Sequence, residues 1–224
     1  MTAEDLMPHH RFKPILIGIG GGTGSGKSYL TEQILASLPG GVVSRIDCDS
    51  YYRDISHLPF SERLNTNFDD PSSLDLDLLL RHLQSLLNGQ PIKKPRYEFA
   101  RHLRASEAEL VVSSPVLLLE GIFALCDMRI RSLLRFKVYV DCDSDLRLIR
   151  RLQRDVRERG RSVDSVIEQY LGSVRPMHFR YVEPTKMFAD LIVNNSDSLD
   201  AAPVLKRIRE LVAEYRSQQE MESL

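Results

Sequence analysis

The chain is short of cysteine, of surplus charge and of long apolar runs, and each shortage narrows what it does. Its three cysteines, Cys48, Cys126 and Cys142, cannot all pair within one chain, and none belongs to a closely spaced metal-ligand set. Reduced thiols in a cytoplasmic protein are the expectation. A net charge of −1 with 27% charged residues gives no support to a nucleic-acid or anionic-membrane surface. The expected partners are therefore small molecules. The apolar run Ile15 to Ile19 is too short to cross a bilayer or form a signal core, and Met1 to Pro14 before it is polar and mixed in charge. No targeting segment, repeat or low-complexity linker is read, and the length of 224 residues suits a single domain over 1–224.

What is present centres on Gly21, Gly22, Thr23, Gly24, Ser25, Gly26, Lys27 and Ser28, which fit the phosphate-binding pattern of Gly, four residues, Gly-Lys-Ser. A strand-like run, Ile15 to Ile19, precedes it. A helix over Tyr29 to Leu38, with Leu30, Ile34, Leu35 and Leu38 on one face, follows. A glycine-rich turn between strand and helix would share the composition, but the context is the one the motif requires. Glycines let successive backbone N–H groups converge on phosphate oxygens, and the helix adds its own unsatisfied N–H groups. Lys27 is placed to reach the outer phosphates, and the Ser28 hydroxyl to hold Mg²⁺.

Past the break at Pro39-Gly40-Gly41, Val42 to Ile46 reads as a second strand that delivers Asp47, Cys48 and Asp49 to its carboxyl end, where open α/β sheets bind ligands. Asp49 is a candidate catalytic acid; capping a turn is the plainer role for it or for Asp54. His57 to Asn65 reads as loop or irregular helix. Asn67 to Pro71 has the chemistry of a helix start, with Asp69 and Asp70 open between cap and ligand. Leu76, Leu79, Leu80, Leu83, Leu86 and Leu87 then form the core face of a helix ended by Asn88-Gly89.

Pro91 to Arg104 mixes prolines, basic residues and Tyr97, Phe99 and His102. An edge hairpin accounts for it, and so does a flap, over about 91–113, that offers the three rings to a planar ligand. Glu109 to Ser113 reads as a short strand. Pro115 to Leu119 is a buried strand ending in Glu120, an oxygen ligand suited to Mg²⁺ or its waters. Phe136 to Val140 is a further strand, followed by acids that can cap a helix running to about Arg157. Arg147, Arg151 and Arg154 share one face of that helix and Leu148 and Leu152 another. A solvated face is the ordinary explanation; a lid over about 154–176, whose guanidinium groups meet phosphate oxygens, suits a triphosphate site better. A helix over Val163 to Val174, a last strand over Ala189 to Val193 and a closing helix over Leu199 to Tyr215 complete an α/β fold, a doubly wound sheet of about five parallel strands.

Six ordered segments at consistent spacing resemble the uridine/cytidine kinase family. They are the phosphate loop, Asp49-Ser50-Tyr51-Tyr52-Arg53, Asn67-Phe68-Asp69-Asp70-Pro71, Tyr97 to His102, Leu117 to Ile122, and Arg154 to Arg161; Gln169 to His178 and Glu183 to Asp190 add to them. The resemblance implies a P-loop kinase that moves the γ-phosphoryl of ATP or GTP to the 5′-hydroxyl of uridine or cytidine with Mg²⁺. It also implies an enzyme that forms homotetramers and is feedback-inhibited by pyrimidine triphosphates. By the same resemblance, Asp49 orients or deprotonates the hydroxyl and Ser28 with Glu120 serves Mg²⁺. Asp69 and Arg151 hold the ribose; Tyr97, Phe99, His102 and Gln169 surround the pyrimidine; Arg154, Arg159 and Arg161 act from the lid and substrate side. Two departures stand out. Hydroxyl residues are common in similar proteins where this loop has Gly22 and Gly24, and Asn194 to Asp197 replaces a Pro-Arg-Gly-Gly segment, which leaves the choice of ATP or GTP open. A phosphoribulokinase-like kinase and a non-catalytic nucleotide-binding regulator are the alternatives. A sugar phosphate has no ring to stack, and both Asp49 and Glu120 are retained.

Overall fold

The computed structural model describes residues 14–222; Met1 to Lys13 lie outside the described residues. Five strands, β1 (Ile15–Gly21), β2 (Val43–Asp47), β5 (Val116–Glu120), β6 (Phe136–Asp141) and β7 (Leu191–Asn194), form a parallel sheet in the order β2-β5-β1-β6-β7. β3 (Ile92–Glu98) and β4 (Leu103–Val111) form a separate antiparallel hairpin, with a bulge between Pro95 and Tyr97 where the proline cannot donate to the ladder. Glu109 thus belongs to the long second arm of the hairpin, and does not begin a strand of its own.

Eight α-helical segments surround the sheet among the described residues: α1 (Lys27–Ser37), α2 (Phe60–Leu64), α3 (Leu76–Leu87), α4 (Met128–Arg131), α5 (Ser144–Arg159), α6 (Val163–Gln169), α7 (Arg175–Met177) and α8 (Ala202–Glu222). Strand alternation splits the core in two. Leu16, Leu117, Leu119 and Tyr139 pack with Leu79, Leu83 and Leu86 of α3 on one face. Ile17, Ile19, Leu118, Val138 and Val140 pack with Leu30 and Ile34 of α1 and Val204, Ile208 and Leu211 of α8 on the other. Both faces are covered, which is the doubly wound arrangement expected. Gly18 and Gly20 lack side chains because Leu134 and Leu125 occupy that space: a Cβ would lie 2.6 and 2.9 Å from them.

Local details depart from the sequence expectation at three places. Asp70 caps only the short 3₁₀ turn Pro71–Ser73, accepting from Ser72 N, while α3 is capped by Asp75, which accepts from Leu78 N at 3.1 Å. Asp143 stands at the start of α5 without a side-chain cap, and that helix runs on to Arg159 before Gly160 ends it. The helix expected to stop at Val174 continues through α7 to Phe188, because two widened π turns, Tyr170–Val174 and His178–Val182, flank the missing donor of Pro176.

Leu83 is fully buried between α3 and the sheet. Leu83→Ala should lower the unfolding free energy by about 2–5 kcal/mol. Urea denaturation followed by far-UV circular dichroism measures this, and a loss below that range would mean the α3 face is not core.

Candidate active site

The register of the parallel strands brings the chemistry to one end. Asp47 and Ile19 both pair with Glu120, and Gly21 pairs with Val140, so the loop after β1, the turn after β2 and the end of β5 are level. The loop carries Gly24 and Gly26 in left-handed conformations, φ 74° and 98°, and α1 begins at Lys27 with no side-chain cap. Its first N–H groups therefore remain for an anion. Lys27 is buried and donates to the carbonyl of Gly22 at 2.8 Å. Burial pushes its ammonium down to about 8, partly offset by the carboxylates of Glu120 and Asp49.

Ser28 Oγ donates to Glu120 Oε1 at 2.5 Å, and the other carboxylate oxygen of Glu120 pairs with Arg45 at 3.1 Å. A hydroxyl and a buried carboxylate side by side form the hard oxygen set that suits Mg²⁺. Among the described residues no group of three or more His, Cys, Asp or Glu could hold a metal alone. A Mg²⁺ at Ser28 and Glu120 would rely on phosphate oxygens and waters for the rest of its shell, as is usual for that ion.

The turn after β2 separates its acids by role. Asp47 caps it, accepting from Ser50 N at 3.0 Å and Ser50 Oγ at 2.5 Å, and Asp54 accepts from Ser56 N at 2.9 Å. Asp49 is left out of that capping, with no hydrogen bond or ion pair of its carboxylate among the described residues. Burial raises its carboxyl above the usual range against the pull of Lys27, while Asp47 adds to the rise. Asp69 differs from its neighbour Asp70 in the same way: it is 8% exposed, accepts from Ser173 Oγ at 3.2 Å, and is raised by burial with Arg151 opposing.

The hairpin brings Tyr97, Phe99 and His102 together, and the structure adds two rings that the sequence did not assign. Tyr52 lies 5.1 Å from both Phe68 and Tyr97 between ring centroids, and Phe68 stacks on His102 at 5.2 Å. Both rings sit inside motifs already noted, and their period gave no hint of the cluster. His102 takes a left-handed φ of 49° at the hairpin tip, and burial lowers its pKa. The Tyr97 hydroxyl is buried with no hydrogen-bond partner, which a native site does not leave unmet without reason.

Over these elements lies α5, turned opposite to expectation for a surface helix. Arg147, Arg151 and Asp155 are buried, while Ile149 and Val156 are exposed, so a solvated arginine face is ruled out. Asp155, also missed from sequence, is fully buried and gathers Arg154 at 2.8 Å, Arg151 at 3.5 Å and Arg159 at 3.6 Å. Arg159 also lies over the Phe99 ring at 4.6 Å. Arg151 donates to Thr23 of the loop at 3.2 Å and to Gln169 Oε1 at 2.8 Å; Arg161 donates to the same oxygen. Gln169 is thus joined to two arginines within the chain. The departing segment after β7 has a structural purpose: Asn195 Nδ2 donates to Ser25 O at 2.7 Å and braces the loop. A cleft of about 650 Å³ beside Pro14, Leu87 and Leu211 lies at the amino end of β1, remote from these groups. Among the described residues no helix is long and apolar enough to cross a membrane.

A phosphate loop on the central strand of a parallel sheet, with acids on neighbouring strand ends and an arginine face above, defines a P-loop kinase. Residues 16–202 match the Phosphoribulokinase / Uridine kinase family. The chain is 53% identical over 180 residues to the uridine kinase of Bacillus subtilis, covering 80% of this chain and 85% of that one. It is 45% identical over 208 residues to the uridine kinase of Clostridium novyi, covering 91% and 99%. Phosphoribulokinase from Rhodobacter spheroides shares the fold, with a TM-score of 0.62 at 18% identity over 84% of this chain and 72% of that one. The chain belongs to the phosphoribulokinase/uridine kinase family and is a phosphotransferase. Its relatives do not favour the phosphoribulokinase-like or non-catalytic alternatives.

The depressed Lys27 ammonium carries a consequence for anion binding. A polyphosphate beside Lys27 favours its charged form and raises its pKa from about 8, so binding at about pH 8.5 should take up at most about three-quarters of a proton. Calorimetric titration with MgATP in buffers of different ionisation heat measures that uptake. No uptake, or an equal one in Lys27→Met, would show that Lys27 does not meet the phosphates.

Proposed function

We propose that this protein transfers the γ-phosphoryl group of ATP or GTP to the 5′-hydroxyl of uridine or cytidine. The observation that carries the reading is the position of Asp49. Its unpartnered carboxylate is near enough to Lys27 and Arg159, and to Tyr52 and Tyr97, for their charges and hydroxyls to couple with it. A buried carboxylate close to both a phosphate loop and an aromatic pocket suits the place of an acceptor hydroxyl. The relatives named uridine kinase support the same acceptor.

In this mechanism the backbone N–H groups of Gly21 to Ser28 hold the polyphosphate, and Lys27 exchanges the Gly22 carbonyl for the outer phosphates. Ser28 and Glu120, directly or through waters, would hold Mg²⁺, whose charge would neutralise the phosphate oxygens. Arg154 and Arg159 meet the transferring group, with Arg161 on the substrate side. Asp69 and Arg151 hold the ribose hydroxyls. Tyr97, Phe99, His102 and Gln169 surround the pyrimidine: the rings stack, and the Tyr97 hydroxyl and neutral His102 supply hydrogen bonds that a purine leaves unpaired. Asp49 aligns the 5′-hydroxyl and accepts its proton as the bond to the γ-phosphorus forms and the bond to the β,γ-bridging oxygen breaks, releasing ADP or GDP. The chain acts as a single P-loop kinase domain, with the flap over about 91–113 and the lid over about 154–176. It works in the cytoplasm on small-molecule nucleosides and nucleotides as a homo-oligomer, a tetramer by the family resemblance.

An acceptor panel tests the reading directly: with MgATP or MgGTP, uridine and cytidine should be phosphorylated, while adenosine and ribulose 5-phosphate should not. Comparable kcat/KM for adenosine, or an unchanged uridine KM in His102→Ala, would sink the pyrimidine assignment.

Asp49→Asn keeps the shape but accepts no proton, so kcat should fall by about 10²- to 10⁴-fold with nucleoside binding retained. Steady-state kinetics decide it: a raised uridine KM with normal kcat would make Asp49 a binding residue instead.

A further inference from the structure

Arg147 stands apart from the other arginines on the buried face of α5. Arg151, Arg154 and Arg159 share the carboxylate of Asp155. Arg147 is 4% exposed and forms no ion pair with any described residue. Its Nε donates to Cys142 O at 3.1 Å, and its NH2 lies 3.2 Å from Ser144 Oγ and 3.1 Å from His178 Nε2. Its NH1 is buried with no partner. Glu183 is reached only through His178, at 3.3 Å, and already accepts from the Tyr139 hydroxyl at 3.0 Å. His178 is a neutral imidazole and no counter-ion: burial and then Arg147 and Lys27 push its pKa down to about 4. A guanidinium keeps its charge at every accessible pH, so this site carries an uncompensated buried cation, a costly arrangement without a counter-ion.

The cation lies directly against the phosphate loop. A Cβ on Gly22 would come within 2.5 Å of Arg147 NH1 and 3.0 Å of His178 Cε1. A Cβ on Gly24 would come within 2.4 Å of the Arg147 carbonyl oxygen. Glycine at both lets the first turn of α5 touch the back of the loop and brings the unpaired guanidinium edge against it.

The geometry points to Arg147 as a further positioning residue of the phosphate loop, a buried fixed charge behind Gly22 whose counter-ion is the polyphosphate of the bound nucleotide. It acts through the loop, on the far side from the ligand, and adds to the attraction of Lys27 and the α1 amino terminus. In a low-dielectric interior a unit charge is felt strongly across one layer of backbone. The inference rests on the proposed nucleotide site and assigns it a component outside the binding motif.

The test is calorimetric titration of the full chain and of two variants, Arg147→Lys and Arg147→Gln, with inorganic tripolyphosphate and with MgATP at low and moderate salt. Gln keeps a donor for Cys142 O but no charge. It should bind both ligands about tenfold more weakly, with a shallower salt dependence, while the KM for uridine stays as in the unaltered protein. Lys keeps the charge and loses the planar fork, so it should bind within about threefold of the unaltered protein. Unchanged affinity in the Gln variant, an unchanged salt slope, or a Lys variant as weak as Gln would overturn the inference. If the Gln variant does not fold, the Lys variant decides alone: near-normal affinity supports the role of charge, and a tenfold loss removes it. Failure of the unaltered protein to bind either ligand would sink the proposed nucleotide site itself, and the inference with it.

Discussion

A backbone loop that offers its N–H groups to an anion can spend few of them on itself, here Ser25 N on the Gly22 carbonyl at 3.2 Å, so most of its shape has to be imposed from outside. Three elements do this here. β6 backs Gly21, whose Cβ would fall 2.4 Å from Val140 O; α5 backs Gly24; and Asn195, just beyond β7, grips Ser25 and would lie 2.2 Å from a Cβ on Gly26. The glycines thus serve two ends at once. They admit the conformations that turn N–H groups toward an anion, and they admit the neighbours that hold those conformations in place.

The same need explains the inverted helix α5. A surface helix buries its apolar stripe because removing that area from water is favourable. α5 instead turns Arg147, Arg151 and Asp155 inward and leaves Ile149 and Val156 exposed. Burying a guanidinium group is costly unless it is paired, and Asp155 meets that cost for Arg151 while also holding the more exposed Arg154 and Arg159. What results is a set of positive groups around the loop, Arg147 behind it and the arginines held by Asp155 above it, fixed in place before any ligand arrives. Such preorganised charge stabilises a transferring phosphoryl group without reorganisation at the moment of reaction.

The acceptor side depends on a clamp between the hairpin and the turn after β2. Lys94 on β3 pairs with Asp47 at 2.8 Å and with Glu109 at 3.2 Å, and Arg104 on β4 donates to the carbonyls of Tyr51 and Tyr52. Asp47 in turn caps the turn that carries Asp49. Hairpin, turn and aromatic cluster therefore form one connected body, which ties the position of the rings to that of the acid.

Much of this was legible along the chain because it follows from local chemistry. The apolar runs, the glycine pattern and the leucines of α3 specify strand, loop and helix through contacts a few residues apart, and the parallel sheet follows from their alternation. The residues at the strand ends were legible too, since open sheets place ligands there. Within the paired acids, sequence left Asp69 and Asp70 equivalent; folding separated them by giving Asp70 a turn to cap and Asp69 a buried place near Arg151. Tyr52 and Phe68 joined the aromatic cluster, and Asp155 became the hub of the arginines, only when distant segments met. The continuation of α6 through Pro176 was likewise hidden, because widened turns made room for a residue whose local preference is to stop a helix. The sequence by itself determined most of the elements, the order of the parallel strands along the chain and the phosphate loop, all of which rest on short-range periodicity and backbone conformation. Only the tertiary structure decided which charges are buried and which partner each one meets, because desolvation and pairing depend on neighbours far away in the chain.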